Sequence, residues 1–250
     1  MSLISPQRRL VLAAATLAAG APMLARAARG NALRVVTSDL PPLVIEHGGQ
    51  QPGALHQVVS ELCKRVELVP EIEFLPWKRA IFVATNSAAT TIFPLTRLPE
   101  RERQFRWLAP LYDERYVFLA PRGRAFDVHH PANMKDMRVT LIRGSALKSV
   151  LLGMGYTNIV EARSIDEVHR FLVAGIADAA YGELSIVRNS LRTRVAEADF
   201  DYSEPVSRTA AWLAGSLDFS EARAAPFQRA MQTMMADGSY AAILKRYQLG

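Results

Sequence analysis

Short runs rich in Val, Ile, Phe and Thr alternate with segments whose apolar residues recur every three or four positions. This alternation constrains the fold more than any single motif. "ALRVVTSD" is β-branched, ends in polar residues and runs into "LPPL", where Pro41 and Pro42 cannot continue a ladder. "GALHQVVSELCKRV" sets Leu55, Val58, Val59 and Leu62 at helical spacing. "EIEF" reads as a strand with Ile72 and Phe74 on one face, and "PWKRAIFVATN" as a helix opening at Pro76. "TTIFPL" is a strand, "LPERERQF" starts a new helical turn and "RYVFLAP" is a strand again. Strands alternating with helices predict an α/β fold with largely parallel pairing.

A second set follows Pro121. "RVTLIRGSALKSVLLGMG" reads strand, Gly-Ser turn, helix, and "TNIVEA" is a strand. "SIDEVHRFLVAG" is a helix whose Ser164 and Glu167 form a capping box. "ADAAYGEL" is a buried strand entering a polar turn, "SIVRNSLR" a helix, and "APFQRAMQTMMADGSYAAILKRYQ" helical with a stop or bend at Gly238. In that tail Phe227, Met231, Met234, Tyr240, Ile243, Leu244 and Tyr247 form core stripes. The chain thus builds two α/β units. "YVFLA" carries it from one to the other, and a stretch near "DYSEPVSRTAAWLAG" brings it back. Two lobes joined by such crossovers enclose a cleft, and open α/β sheets bind ligands at the C-terminal ends of their strands.

The 250 residues, half of them hydrophobic, suffice for one large domain or two modest ones, with no linker tract or solenoid repeat. Residues 1–27 differ in kind. Arg8 and Arg9, an apolar stretch from Leu10 and the pattern Ala25-Arg26-Ala27 describe a secretory signal peptide. The apolar stretch, interrupted by Gly20 and Pro22, falls short of the ~20 residues of a spanning helix, so a retained anchor is the lesser reading. The arginine pair after Ser5 also admits twin-arginine export. Cleavage removes Arg8, Arg9 and Arg26 and no acid, lowering the formal charge from +6 to +3, which does not describe a nucleic-acid binder. The lone Cys63 is expected in the core of a helix.

"PLTRLPERERQF" holds the densest positive charge. Backbone N–H groups at a helix start favour an anion, and a guanidinium binds carboxylate in a two-bond fork. Alternatively Arg97, Arg101, Arg103 and Arg106 coat a helix beside Glu100 and Glu102. "GSALKS", with Ser145 capping, is a second strand–turn–helix junction able to meet an anion. Asp178 is expected to pair locally, while Glu183 either faces the cleft or ends in a solvated turn. Trp77 either packs in the core or offers its face to a ligand. The histidines, including His129-His130, have no cysteine or carboxylate at metal-ligand spacing, and His56 and His169 are expected at helix surfaces or rims. No nucleophile elbow, P-loop or dinucleotide fingerprint is present.

In their order, "LRVVTSDLPPL", "LPWKRA", "IFPLTRLPERERQFRWLAPLY", "RVTLIRGS", "SIDEVHRFLVAGIADAAYGE" and "DGSYAAILKRY" resemble the family 3 extracellular solute-binding proteins, the periplasmic amino-acid-binding proteins of ABC transporters. The spacing from Thr96 to Arg101 followed by "FRWLAPLY" is the most specific element. The resemblance implies a two-lobed, type II-like flytrap with two crossover segments: lobe 1 from 28–119 plus 206–250, lobe 2 from 120–205. It implies that Arg101 grips a carboxylate with Thr96 beside it, and that Phe93 and Pro94 offer carbonyls to an ammonium. Ser145 and Ala146 would donate N–H groups to the carboxylate, Glu183 would pair the ammonium, and Trp77 and Leu40 would sandwich the ligand side chain. Leu40 stands where an aromatic residue is usual, and "NSAATT" replaces the usual G-x-x-D. A monomeric periplasmic protein is expected, without cofactor, metal or catalysis, delivering an amino acid or related carboxylate to an ABC permease in the inner membrane. Its rivals are a dehydratase-like enzyme on the same scaffold, with Glu183 transferring protons, and a sensory module.

Overall fold

A computed structural model describes residues 31–194 and 199–249. The signal peptide read over residues 1–27 lies outside the described residues. The first half opens with β1 (Ala32–Thr37), α1 (Ala54–Arg65), β2 (Val69–Phe74), α2 (Trp77–Asn86) and β3 (Thr90–Thr96). The long strand β4 (Arg106–Pro121) then leads to β5 (Val139–Ile142), α3 (Leu147–Gly153), β6 (Ile159–Ala162) and α4 (Ile165–Val173). After these come β7 (Ala179–Glu183), α5 (Leu184–Arg194), β8 (Phe200–Tyr202), β9 (Ser207–Gly215), α6 (Glu221–Ala236) and α7 (Ser239–Arg246).

The strands order as β2-β1-β3-β9-β4-β7-β5-β6, with β8 also on β4. The expected parallel pairing holds within each half, where β1 pairs β3 and β5 pairs both β6 and β7. It fails at the middle: β9 is antiparallel to β3 and β4, and β4 is antiparallel to β7. The reason is that β4 and β9 carry the chain out and back between the halves. Strand β4 is the pivot. Residues Arg106–Tyr116 pair with β9, and from Tyr116 onward the strand pairs with β7 and β8.

Period-two alternation sends successive β4 side chains to opposite faces. Tyr116, Phe118 and Ala120 enter one core with Leu141, Leu151 and Tyr156, while Val117 and Leu119 enter another with Leu172, Leu191 and Phe200. The first half likewise covers both faces. Leu55, Val58 and Leu62 of α1 join Phe227, Met231 and Met234 of α6 on one side, and Ala80 and Val83 of α2 pack on Ile92, Leu95 and Trp107 on the other. Cys63 is fully buried there, and burial pushes its thiol up to about 12.

Local chemistry explains the boundaries. The Ser164 hydroxyl accepts the Glu167 N–H, and the Glu167 carboxylate accepts from the Arg163 N–H, one residue before the expected capping-box partner. Gly238 adopts φ +79 between α6 and α7, a left-handed turn that makes the stop expected there. Helix α6 starts a turn before Pro226 because Ser220 caps the Arg223 N–H. The helical turn expected at "LPERERQF" is only a three-residue 3-10 turn, Pro99–Arg101. With β4 starting at Arg106, no α-helix fits between the two strands, so no helix dipole supports an anion there.

Candidate ligand-binding site

Strand β3 would be an ordinary central strand but for Pro94, which cannot donate to a ladder. The sheet absorbs it in a bulge. Ile92 pairs with Ala214 and Leu95 with Trp212, leaving one extra residue on β3. The Phe93–Pro94 peptide is cis. The Phe93 carbonyl accepts the buried Thr37 hydroxyl at 2.7 Å, and Phe93 itself lies in the core. Pro94 and Thr96 instead line a cavity of about 100 Å³, together with Leu40, Trp77, Ser145 and Glu183. Six of the nine residues singled out in the sequence therefore share one wall, while Phe93, Arg101 and Ala146 stand outside it.

The arginine cluster resolves residue by residue. Arg97 forks onto Glu102 at 2.7 and 3.0 Å and lies over the rings of Trp107 and Trp212. Arg103 is exposed, and Arg106 bonds the Phe219 carbonyl and reaches Glu221. These three make local surface contacts, but not as a coat on a helix, since no α-helix lies there. Arg101 differs. It is 7% exposed, donates to the Thr96 carbonyl at 3.1 Å, and has no carboxylate at ion-pair distance among the described residues. Burial pushes its pKa down, against the pull of Tyr116, Glu100 and Glu114.

Glu183 is buried rather than solvated. It ends β7 immediately before α5, and its Oε2 accepts the N–H groups of Ser185 and Ile186 at 2.7 and 3.0 Å. Its Oε1 makes no hydrogen bond of ordinary geometry among the described residues, while the nearby Arg115 also favours its charged form. Desolvation raises its pKa to about 7 despite those two amides. Ser145 accepts the Leu147 N–H through its hydroxyl and commits its own N–H to the Ile142 carbonyl. Trp77, at the first turn of α2, is partly buried, and Leu40 is 8% exposed. The expected local partner of Asp178 is Arg138, at 2.6 Å.

Several lining residues escape the sequence reading. Glu114, 5% exposed, accepts from the Thr96 hydroxyl at 3.4 Å, and desolvation lifts its carboxyl to about 8. Tyr116, whose hydroxyl lies 3.0 Å from that of Thr96, and Tyr181 complete the polar part of the wall. His169 is not at a rim: it is buried, lines the cavity and bonds Ser190 of α5. Its neighbour across the chain makes burial of the ring tolerable. A carboxylate does accompany the histidine pair, since Asp127 lies 2.9 Å from His130. Yet no group of three or more His, Cys, Asp or Glu able to hold a metal occurs among the described residues.

Residues of the two halves also contact one another directly. Ser149 of α3 donates to Glu100, Tyr112 lies 2.8 Å from Ser185, and Gly144 packs against Lys78 of α2. Gly144 has φ +80, and an added Cβ would lie 2.9 Å from the Lys78 Cβ. Glycine permits both the turn and the close approach.

This architecture, two α/β lobes around a lined cavity and joined through β4 and β9, is that of a two-lobed ligand-binding protein. Residues 33–250 match the family model described as bacterial extracellular solute-binding proteins, family 3, and the chain belongs to that family. No curated protein sequence matches it. Among solved structures it is similar to an ancestral arginine-binding protein bound to arginine, at 18% identity and TM-score 0.75, covering 87% of this chain and 98% of that one. It is also similar to the GluR0 ligand-binding core from Nostoc punctiforme in complex with glutamate, at 14% identity and TM-score 0.75, covering 87% and 100%. A histidine kinase sensor domain with similarity to periplasmic binding proteins matches at 16% identity and TM-score 0.78, covering 86% and 95%.

Proposed function

We propose that the protein captures an amino acid or a related small carboxylate between its lobes in the periplasm and delivers it to an ABC permease, without chemical change. The observation that carries this reading is Arg101, a guanidinium buried behind the cavity-lining Thr96 with no carboxylate at ion-pair distance among the described residues. A buried charge is costly unless paired, so a ligand carboxylate is the fitting counter-ion. Thr96 orients it, Glu183 pairs the ammonium through its unpartnered Oε1, and Trp77 and Leu40 hold the side chain. The Pro94 carbonyl and the Ala146 N–H serve as backbone contacts, because the Phe93 carbonyl and the Ser145 N–H are already engaged by Thr37 and Ile142. Lobe 1 comprises residues 28–119 and 206–250, and lobe 2 residues 120–205. Supporting this division, β9 opens at Ser207 and β4 changes partners at Tyr116.

Export by the signal peptide fits an extracellular family. Similar structures bind arginine, glutamine and glutamate, which supports an amino acid here. The match to a sensor domain favours a second reading, in which the closed lobes report to a membrane receptor. The test is a thermal-shift screen of residues 28–250 against amino acids, their amides and organic acids. A ligand at a thousandfold excess over Kd stabilises by about 4 kcal/mol, or about 8–16 °C. Loss of that shift in Arg101→Ala supports the assignment. A shift unchanged in Arg101→Ala contradicts it.

A further inference from the structure

The cavity does not end at Glu183. Its wall runs on into lobe 2, and the reason lies in β7. Period-two alternation turns Tyr181 toward Phe118 and Tyr156, and Ala180 toward Leu119, Val168 and Val187. Gly182, two residues beyond Ala180, stands on the same face as Ala180. Strand β7 thus meets α4 and α5 with one methyl group and one bare backbone position. Apart from its chain neighbours, a Cβ added at Gly182 would find a single heavy atom within 4 Å, the Val187 Cγ2 at 3.2 Å.

Space between a sheet and its helices is ordinarily filled by larger side chains. Here Leu119, Val168, Ala180 and Val187, all buried, line the cavity itself. Ile142 and Ile165 line it too, and they also border the adjoining cleft beside Leu40 and Trp77. The apolar wall is therefore continuous from that pair inward. Glu114 and Glu183, the charged residues of the lining, share the other face of the sheet with Tyr116 and Tyr181. On the α4–α5 face the polar side chains are His169 and Ser190, which bond each other. A space walled by apolar side chains holds water poorly, because water needs several polar partners, and it takes apolar groups readily.

We infer that this compartment in lobe 2 receives the distal part of the ligand side chain and selects amino acids whose side chain is long and apolar. The inference rests on the reading of the cavity as the capture site and supplies the side-chain chemistry that reading leaves open. A guanidinium or carboxylate carried into the compartment would be desolvated without a partner, so arginine and glutamate should bind poorly.

Calorimetry on the purified protein tests this with alanine, norvaline, norleucine, 2-aminooctanoate, arginine, glutamate and pentylamine. Each buried methylene contributes about fourfold in affinity, so norleucine should bind about sixtyfold more tightly than alanine. Ala180→Val fills the compartment and should cut that ratio at least tenfold. Val187→Ala enlarges it and should shift the tightest binding toward 2-aminooctanoate. Either variant carries the test if the other does not fold. A norleucine-to-alanine ratio near one, or tighter binding of arginine or glutamate than of norleucine, overturns the compartment and leaves amino-acid capture intact. A chain-length preference unmoved by the substitutions overturns it in the same way. Pentylamine bound as tightly as norleucine, with the same response to the substitutions, upholds the compartment and overturns the carboxylate. Silence from every probe overturns both.

Discussion

Replacing Glu114 with Gln should change how the stability of the unliganded protein depends on pH. Burial lifts the Glu114 carboxyl from an ordinary 4.5 to about 8, with the Glu183 carboxylate adding to the rise. The hydroxyls of Tyr116 and Thr96 and the Arg101 guanidinium oppose it. Between those two values the folded chain holds a proton that the unfolded chain has released. Stability therefore falls as pH rises through that window. Each unit of difference is worth about 1.4 kcal/mol, so the loss from pH 4.5 to 8 is of the order of a few kcal/mol. At about 5 kcal/mol, that is about 10–20 °C in Tm for a chain of this size. Gln keeps the shape of the protonated acid and does not titrate. Thermal melts from pH 5 to 9 should show wild type falling relative to Glu114→Gln, the gap opening from pH 5 and levelling off only above about pH 8. Parallel curves would refute the reasoning, because they would mean that Glu114 is ionised in the folded protein across the whole range.

Other substitutions probe the scaffold. Ser164→Ala removes the cap of α4 and should cost about 1 kcal/mol, read as a fall of about 2–4 °C in Tm. Met234→Ala empties a fully buried position beneath α6 and should cost about 2–5 kcal/mol in a denaturant melt. Gly144→Ala forces a side chain into a left-handed turn, at about 1–2 kcal/mol, and against Lys78. Because that contact joins the two lobes, ligand affinity measured by calorimetry should fall as well.

The elements were legible where one face decides burial. The stripe Leu55, Val58, Val59, Leu62 and the run "TTIF" each declare their period, and both fold as read. The full length of β4 was not legible, because "PLYDERY" places proline and charge inside a strand. Pro110 is tolerated at a register shift against β9, and Asp113 and Arg115 alternate to the exposed face. The same polar look concealed Glu114: only the register across β4 and β7 shows that it stands beside Glu183. His169 was misplaced for a related reason, since Ser190, which bonds its ring, lies on another helix. Arg101 was visible as one arginine among four. What sets it apart, burial without a carboxylate, is a tertiary fact.

The most direct test of the account compares an amino acid that binds with its α-amide, which differs only in lacking the carboxylate charge. If Arg101 holds that carboxylate, wild type should prefer the acid by two orders of magnitude or more, the about 3 kcal/mol expected of a buried charge-assisted pair. In Arg101→Ala the preference should vanish, with acid and amide bound alike. An equal preference for the acid in wild type and Arg101→Ala would contradict the account at its centre.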